Sequence, residues 1–125
     1  MRKVVVILLL LSTPAGAEWT LVGDSDSSDI YADLATMHKR GHMVKMWSLY
    51  DLKTARPFAD TAYLSSKDQD EYDCERQRTR FLSYSVHSGN MGSGRTIYSD
   101  AERGKWSGLP AGSVVEALWK VACTQ

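Results

Sequence analysis

Most of this 125-residue chain consists of short segments in which apolar and polar residues alternate. The clearest segment spans residues 76–88, where Leu82, Tyr84 and Val86 are separated by single polar residues. An alternation of period two is typical of a β-strand with one buried and one exposed face. Further extended patterns occupy residues 19–22, 30–32, 63–66, 71–74 and 95–99. The sequence therefore predicts an antiparallel sheet, in which half-buried strands of this kind are common.

Three segments modify this pattern. Residues 42–52 are apolar on both faces, which predicts a strand in the middle of the sheet and places Trp47 in the core. Asp33 follows a short apolar run and is predicted to cap a helical turn that reaches Met37. Residues 53–60 contain a proline and lack periodicity, so they are predicted to form a loop.

The period changes near the C-terminus. Ser113, followed three residues later by Glu116, forms a capping box, which is a signature of a helix N-terminus. One side of the predicted helix is apolar and consists of Val115, Leu118, Trp119, Ala122 and Cys123. The predicted fold class is therefore α+β: an antiparallel β-sheet with a C-terminal α-helix packed on one face.

The N-terminus has the composition of a secretory signal peptide. Arg2 and Lys3 precede an unbroken apolar run at residues 4–11, and Ala15-Gly16-Ala17 provides the small residues of a cleavage site. The apolar run is too short to span a membrane, which takes about 20 residues. We therefore expect cleavage near Ala17, which leaves residues 18–125 as one periplasmic or secreted domain without a membrane span.

The chain has two cysteines, Cys74 and Cys123, and both lie in the predicted exported domain. An oxidising compartment favours joining them. No CxxC pair or Cys/His cluster supports the alternative of a reactive thiol or a metal site. The sequence therefore predicts one structural disulfide between Cys74 and Cys123.

Charge and composition exclude several classes of function. The whole chain balances 15 basic against 15 acidic residues, and loss of Arg2 and Lys3 with the leader changes the formal charge to −2. A slightly acidic domain lacks the positive field on which most nucleic-acid binding depends. The hydrophobic fraction of 43% is too high for a disordered tail. One globular domain without a nucleic-acid partner is predicted.

Patterns typical of catalytic and metal sites are weak in this sequence. His38 and His42 have the spacing of helix-borne metal ligands, but Gly41 lies between them. Residues 24–29 lack the glycine of a calcium loop. Residues 89–94 are rich in glycine but lead into a strand, which favours a hairpin over a phosphate site. The sequence predicts no cofactor, no metal and no enzymatic activity.

The main candidate for binding is a group of three arginines. If residues 76–80 are extended, Arg76, Arg78 and Arg80 project from one face, which suits sulfated sugars, acidic peptides or carboxylates. The alternative is that the arginines are solvated or paired with nearby acidic residues, which are Asp68, Asp70, Glu71, Asp73 and Glu75. Trp106 lies in a predicted loop and is a further candidate for partner contact.

Several short motifs follow one another in a recognisable order. They are EWTLVG at residues 18–23, YLSSK at 63–67, EYDC at 71–74, SGNMGSG at 88–94, YSD at 98–100 and AC at 122–123. With this order and two cysteines, the chain resembles the bacterial surface-adhesin protein E family. The resemblance implies a sheet of about six antiparallel strands with a C-terminal helix tied to it by a disulfide, which pairs Cys74 with Cys123.

The same resemblance implies a function. The adhesin that names the family is a surface lipoprotein that binds vitronectin and laminin through a basic segment. In this chain residues 53–74 are acidic in balance, and no cysteine for lipid attachment lies at the cleavage site. We therefore expect an exported, non-enzymatic binding module whose partner is an extracellular-matrix protein or an anionic glycan. The alternative is a periplasmic accessory or envelope-structural protein with a bacterial envelope protein as its partner.

Overall fold

One antiparallel sheet, in which consecutive strands are neighbours, forms most of the molecule. The computed structural model describes residues 18–125, so the predicted leader and its cleavage position lie outside the described residues. The strands are β1 (Trp19–Asp24), β2 (Ser28–Arg40), β3 (Met43–Phe58), β4 (Thr61–Asp73), β5 (Arg78–His87) and β6 (Thr96–Asp100). A two-residue strand, β7 (Ser107–Gly108), pairs with the start of β5, and the helix α1 (Val114–Cys123) follows. The predicted α+β fold is confirmed.

The helical turn predicted after Asp33 is wrong. Strand β2 continues to Arg40, although its register with β3 shifts between Asp33 and His38. At the shift, the Asp33 carboxylate accepts hydrogen bonds from the backbone N–H groups of Ala35 and Thr36 at 3.1 and 3.3 Å. An aspartate that caps a helix also accepts from the N–H groups two and three residues later. Here the same interaction stabilises an irregularity within a strand.

The loop predicted at residues 53–60 is also wrong. Strand β3 runs to Phe58, and β4 begins at Thr61, so only Ala59 and Asp60 form the turn. The pairing of β3 with β4 is irregular between Asp51 and Arg56, and it then resumes to the tip of the hairpin. The proline that suggested a loop lies beyond this irregularity, near the end of the strand, where a missing N–H group is tolerated.

The strand register assigns side chains to two faces of the sheet. Val44 lies directly opposite Tyr72, and both are packed in one hydrophobic core with Leu118 and Ala122 of α1. We call this side the helix face. Since side chains alternate along a strand, the neighbours of these residues point to the other side, which we call the open face. A row of register partners crosses the open face, consisting of Trp19, Asp33, Trp47, Gln69 and Ser83.

The C-terminal helix is capped and anchored as the sequence predicts. The Ser113 hydroxyl accepts a hydrogen bond from the N–H of Glu116 at 3.1 Å, and the Glu116 carboxylate accepts from the N–H of Gly112 at 2.9 Å. The Trp119 indole N–H donates to the carbonyl of Asp73 at 2.8 Å. Cys74 and Cys123 form a disulfide, which confirms the predicted pairing. The last turn of the helix is thus fixed to the end of β4.

Candidate interaction surface

Trp47 lies within the open face and lines two clefts. The first cleft has a volume of about 210 Å³ and is lined by Trp19, Asp33, Thr36, Trp47 and Lys67. The second extends toward β5 and β6, and its lining includes Trp47, Ser83, Ser85 and Ser99. The volume of the first cleft is below the roughly 300–1,000 Å³ of sites that enclose small molecules. The first cleft is therefore too small to enclose such a molecule.

The assignment of Trp47 to the hydrophobic core is wrong. Its side chain is half-buried on the open face, whereas its neighbour Met46 is 1% exposed in the core beneath α1. Trp47 alternates with Met46, and it shares its side of β3 with Lys45. The polar side chain of Lys45 was a sequence signal for this exposure. Trp19 and Lys67, the other large side chains of the first cleft, were not predicted as site residues.

Two of the three candidate arginines form a stacked cluster with Trp106. The guanidinium carbon of Arg78 lies 4.3 Å from the centre of the Trp106 ring, and that of Arg80 lies 4.4 Å from it. Arg78 also donates to Asp73 at 2.9 Å, and Arg80 forms an ion pair with Glu71 at 2.7 Å. Arg78 and Arg80 are therefore paired with acidic residues across the strands, which was the predicted alternative to a free arginine stripe.

The prediction that all three arginines share one strand face is wrong for Arg76. Strand β5 begins at Arg78, and Arg76 lies exposed in the turn between β4 and β5. Gln77, which follows it, has a positive φ of 50° and redirects the chain. Trp106 is half-buried beside the arginines instead of standing free in a loop. A role for Arg76, Arg78, Arg80 or Trp106 in binding stays a prediction.

Asp73 connects this cluster to the rest of the fold. Its side chain is fully buried and faces Arg78 across the turn. Burial alone would raise the pKa of Asp73, but the hydrogen bond from Arg78 and those from two backbone N–H groups outweigh burial, and the pKa is lowered. His42 lies 3.8 Å from the same carboxylate and acts in the same direction. Asp73 therefore remains ionised and anchors the turn.

Comparison with known proteins agrees with the architecture. The family model described as surface-adhesin protein E matches residues 19–124. The chain belongs to the surface-adhesin protein E family. No curated protein sequence matches it.

Solved structures of protein E from Haemophilus influenzae have the fold of this family member. One superposes with a TM-score of 0.65 at 10% identity and covers 90% of this chain and 89% of that chain. A second crystal form gives a TM-score of 0.63 at 10% identity, with coverage of 87% and 96%. Protein E from a non-typeable strain gives 0.62 at 11% identity, with coverage of 87% and 79%. At such low identity the likeness shows the fold alone.

Neither a membrane-spanning helix nor a metal-binding cluster is present in residues 18–125. Among residues 18–125, no helix has the length and apolar character needed to cross a membrane. In the same described part of the chain, no group of three or more His, Cys, Asp and Glu side chains is arranged to hold a metal ion.

The helix face of this adhesin domain carries two acidic residues of unusual pKa. Burial raises the pKa of Asp68 to about 7, with a further increase from Asp70, and burial raises the pKa of Asp70 to about 6, although Tyr72 lowers it. Burial and the two carboxylates raise the pKa of Tyr50. No ion pair within residues 18–125 includes Asp68 or Asp70. The two carboxyl groups are thus poorly compensated when they ionise.

These raised pKa values predict a gain of stability when the two charges are removed. The folded protein binds more protons than the unfolded chain between about pH 4 and pH 7, so its stability falls as the pH rises through that window. Above pH 7, we expect Asp68→Asn/Asp70→Asn to unfold at a higher urea concentration than the wild type. Its free energy of unfolding should be larger by about 1–3 kcal/mol. The difference should vanish near pH 4. A control pair at exposed positions, Asp26→Asn/Asp60→Asn, should show no such pH dependence.

Proposed function

We propose that this chain is an exported, non-enzymatic adhesin module that binds a protein or glycan partner through its open face. The supporting observation is the position of Trp47, which lines both clefts on that face. Half-exposed tryptophans surrounded by polar groups are frequent at binding surfaces, since the ring buries a large apolar area and its N–H group finds a partner. The leader predicted at residues 1–17 supports export.

The chemistry of the open face favours contact through aromatic rings and hydrogen bonds over binding by net charge. Arg78 and Arg80 are paired with carboxylates, so they add little to a positive field. Lys67 remains beside Trp47 in the first cleft, and serine hydroxyl groups line the second. An extracellular-matrix protein that meets this face would therefore bind with a weak dependence on salt, whereas an anionic glycan would depend on Lys67 and would lose affinity as the salt concentration rises.

A hydrolytic role has one apparent candidate, which lacks an essential partner. The Ser85 hydroxyl lies 2.7 Å from Nε2 of His87, as a nucleophile would from its base. The other ring nitrogen of His87 faces the Thr96 hydroxyl at 3.4 Å, whereas a catalytic histidine is commonly oriented by a carboxylate. Burial lowers the pKa of His87, and Lys67 lowers it further. The pair therefore supports a structural role, which favours the binding module.

The test is binding to immobilised vitronectin, laminin and heparin, measured by surface plasmon resonance at low and raised salt. We expect the wild type to bind at least one of them and Trp47→Ala to weaken binding roughly tenfold or more, as for an aromatic residue at the centre of an interface. Tyr98→Ala is the matched control, because Tyr98 is 44% exposed and lies on the helix face of β6. Its affinity should be unchanged.

Two results would reject this proposal. One is absence of wild-type binding to all three ligands at every salt concentration. The other is equal binding by the wild type and Trp47→Ala. In either case the alternative role as a periplasmic accessory or envelope-structural protein is favoured, and cell fractionation with affinity capture of a bacterial envelope protein tests it. The acidic balance of residues 53–74 is the observation that supports this alternative.

A further inference from the structure

Asp68 and Asp70 lie side by side on the helix face of β4, and we call the surface around their side chains the acidic recess. These residues are two positions apart on β4, so their side chains point to the same face about 6.6 Å apart along the strand. Asp68 lies directly opposite Ser48 of β3, and Asp70 lies opposite Met46. Both aspartates are partly exposed. A ligand can therefore reach them from solvent.

A buried hydroxyl group beside these carboxylates has no hydrogen-bond partner. The hydroxyl oxygen of Ser48, a residue that is 0% exposed, is paired with no group of residues 18–125. Ser48 is the register partner of Asp68. The Tyr72 hydroxyl lies beside Asp70 and lowers the pKa of that carboxyl group by a hydrogen bond. An unpaired buried hydroxyl costs about 1–3 kcal/mol, so such a group is rare in a folded protein.

Aromatic rings line the other side of the same recess. Tyr84 of β5 is the register partner of Asp68, and its ring lies 5.3 Å from that of Phe81 and 5.7 Å from that of Tyr98. Tyr50 is close enough to both carboxylates for them to raise the pKa of its hydroxyl, after the larger effect of burial. The faces of aromatic rings attract cations, and the attraction grows when the cation is desolvated.

The ionised groups that raise the pKa values around the recess are carboxylates. Asp100 of β6 is the register partner of Tyr84, and with burial and Tyr98 it raises the pKa of the Tyr84 hydroxyl. No lysine, arginine or histidine from β3, β5, β6 or α1 forms an ion pair with Asp68 or Asp70 within the described residues. The recess thus presents negative charge, a hydroxyl acceptor and aromatic faces together.

These properties fit an organic ammonium group better than a metal ion. Calcium takes six to eight oxygen ligands and magnesium requires near-octahedral coordination. The described residues hold no cluster of three carboxylate, imidazole or thiolate ligands. An alkylammonium group donates up to three hydrogen bonds to oxygen and packs its carbon chain on aromatic rings. The two carboxylates follow each other along the strand, so two ammonium groups on one short chain can each contact one carboxylate.

We propose that the Asp68–Asp70 recess binds a short aliphatic diamine, with one ammonium group on each carboxylate and the alkyl chain against Tyr84. The Ser48 hydroxyl oxygen accepts a further hydrogen bond from the ammonium group on Asp68. The recess lies on the helix face, so this ligand and the partner of the open face occupy opposite sides of the sheet. Binding of the diamine therefore does not depend on the proposed adhesin contact.

The test is isothermal titration calorimetry of the folded protein with 1,4-diaminobutane at about pH 8, where both carboxylates are ionised. We expect binding that weakens roughly a hundredfold by pH 5, because the carboxyl groups take up protons. Butylamine, which has one ammonium group, should bind roughly tenfold more weakly. Trp47→Ala should bind the diamine like the wild type, which separates this site from the open face.

Asp68→Asn/Asp70→Asn should abolish diamine binding. This variant is expected to be at least as stable as the wild type, so a loss of binding cannot be attributed to unfolding. Asp26→Asn/Asp60→Asn removes the same charge from exposed positions and should leave binding unchanged. The proposal would be overturned if the wild type gave no heat of binding with the diamine. It would also be overturned if the Asp68→Asn/Asp70→Asn variant bound the diamine as tightly as the wild type. Displacement of the diamine by an equal concentration of Mg²⁺ would also overturn it, because the site would then prefer a metal ion.

Discussion

Replacing Cys74 and Cys123 with alanine is expected to lower the free energy of unfolding by about 4 kcal/mol. The bond joins residues 49 positions apart, and in the chain-entropy model a loop of that size corresponds to about 4 kcal/mol of constraint on the unfolded chain. The same bond holds the end of α1 beside the end of β4, where Leu118 and Ala122 complete the core. A domain of this size is stable by only about 5–15 kcal/mol. The measurement is urea unfolding followed by tryptophan fluorescence.

The wild type in the presence of reductant is the control for this variant. Reduction removes the same bond without changing the sequence, so both samples should unfold at the same urea concentration. Agreement between them attributes the loss to the disulfide and not to the alanine side chains. The prediction would be contradicted if the free energy of unfolding of Cys74→Ala/Cys123→Ala were within about 1 kcal/mol of that of the oxidised wild type.

Asp73→Ala is expected to destabilise the fold by about 3–5 kcal/mol, the usual effect of removing one partner of a buried ion pair. The carboxylate accepts from Arg78 at 2.9 Å and from the backbone N–H groups of Glu75 and Arg76 at 3.0 and 3.2 Å. Its loss leaves the Arg78 guanidinium without its partner and the turn without its acceptor. Urea unfolding near pH 7 measures the effect.

The pH dependence of this effect has a defined sign. Because the folded pKa of Asp73 is lowered, the stability it contributes is present above about pH 4 and is lost as the pH falls through the folded value. The difference between the wild type and Asp73→Ala should therefore shrink in acid. Glu71→Gln is the matched control, since Glu71 pairs with Arg80 but retains 11% side-chain exposure. If Glu71→Gln lowers the free energy of unfolding as much as Asp73→Ala does, burial of the carboxylate is not the cause of the destabilisation.

The two acidic pairs of β4 show what the sequence pattern predicts and what it does not predict. Strand alternation alone places Asp68 and Asp70 on one face and Glu71 and Asp73 on the other. The pattern does not show which pair meets arginines. That depends on Arg78 and Arg80, which reach β4 only because β5 folds back beside it in one particular register. Removal of charge is therefore expected to stabilise the protein at Asp68 and Asp70 and to destabilise it at Asp73.

The sequence by itself determined the antiparallel sheet, the capped C-terminal helix and the disulfide. Each depends on a local or compositional signal: period-two alternation, the Ser113 to Glu116 spacing, and two cysteines that follow a predicted export leader. The tertiary structure decided the lengths of β2 and β3, since irregular register at Asp33 and after Asp51 allows strands to continue through segments with turn-like composition. It also decided the candidate sites. Both the exposure of Trp47 and the recess at Asp68 arise from side chains on different strands, whose proximity is set by long-range pairing and not by neighbouring residues.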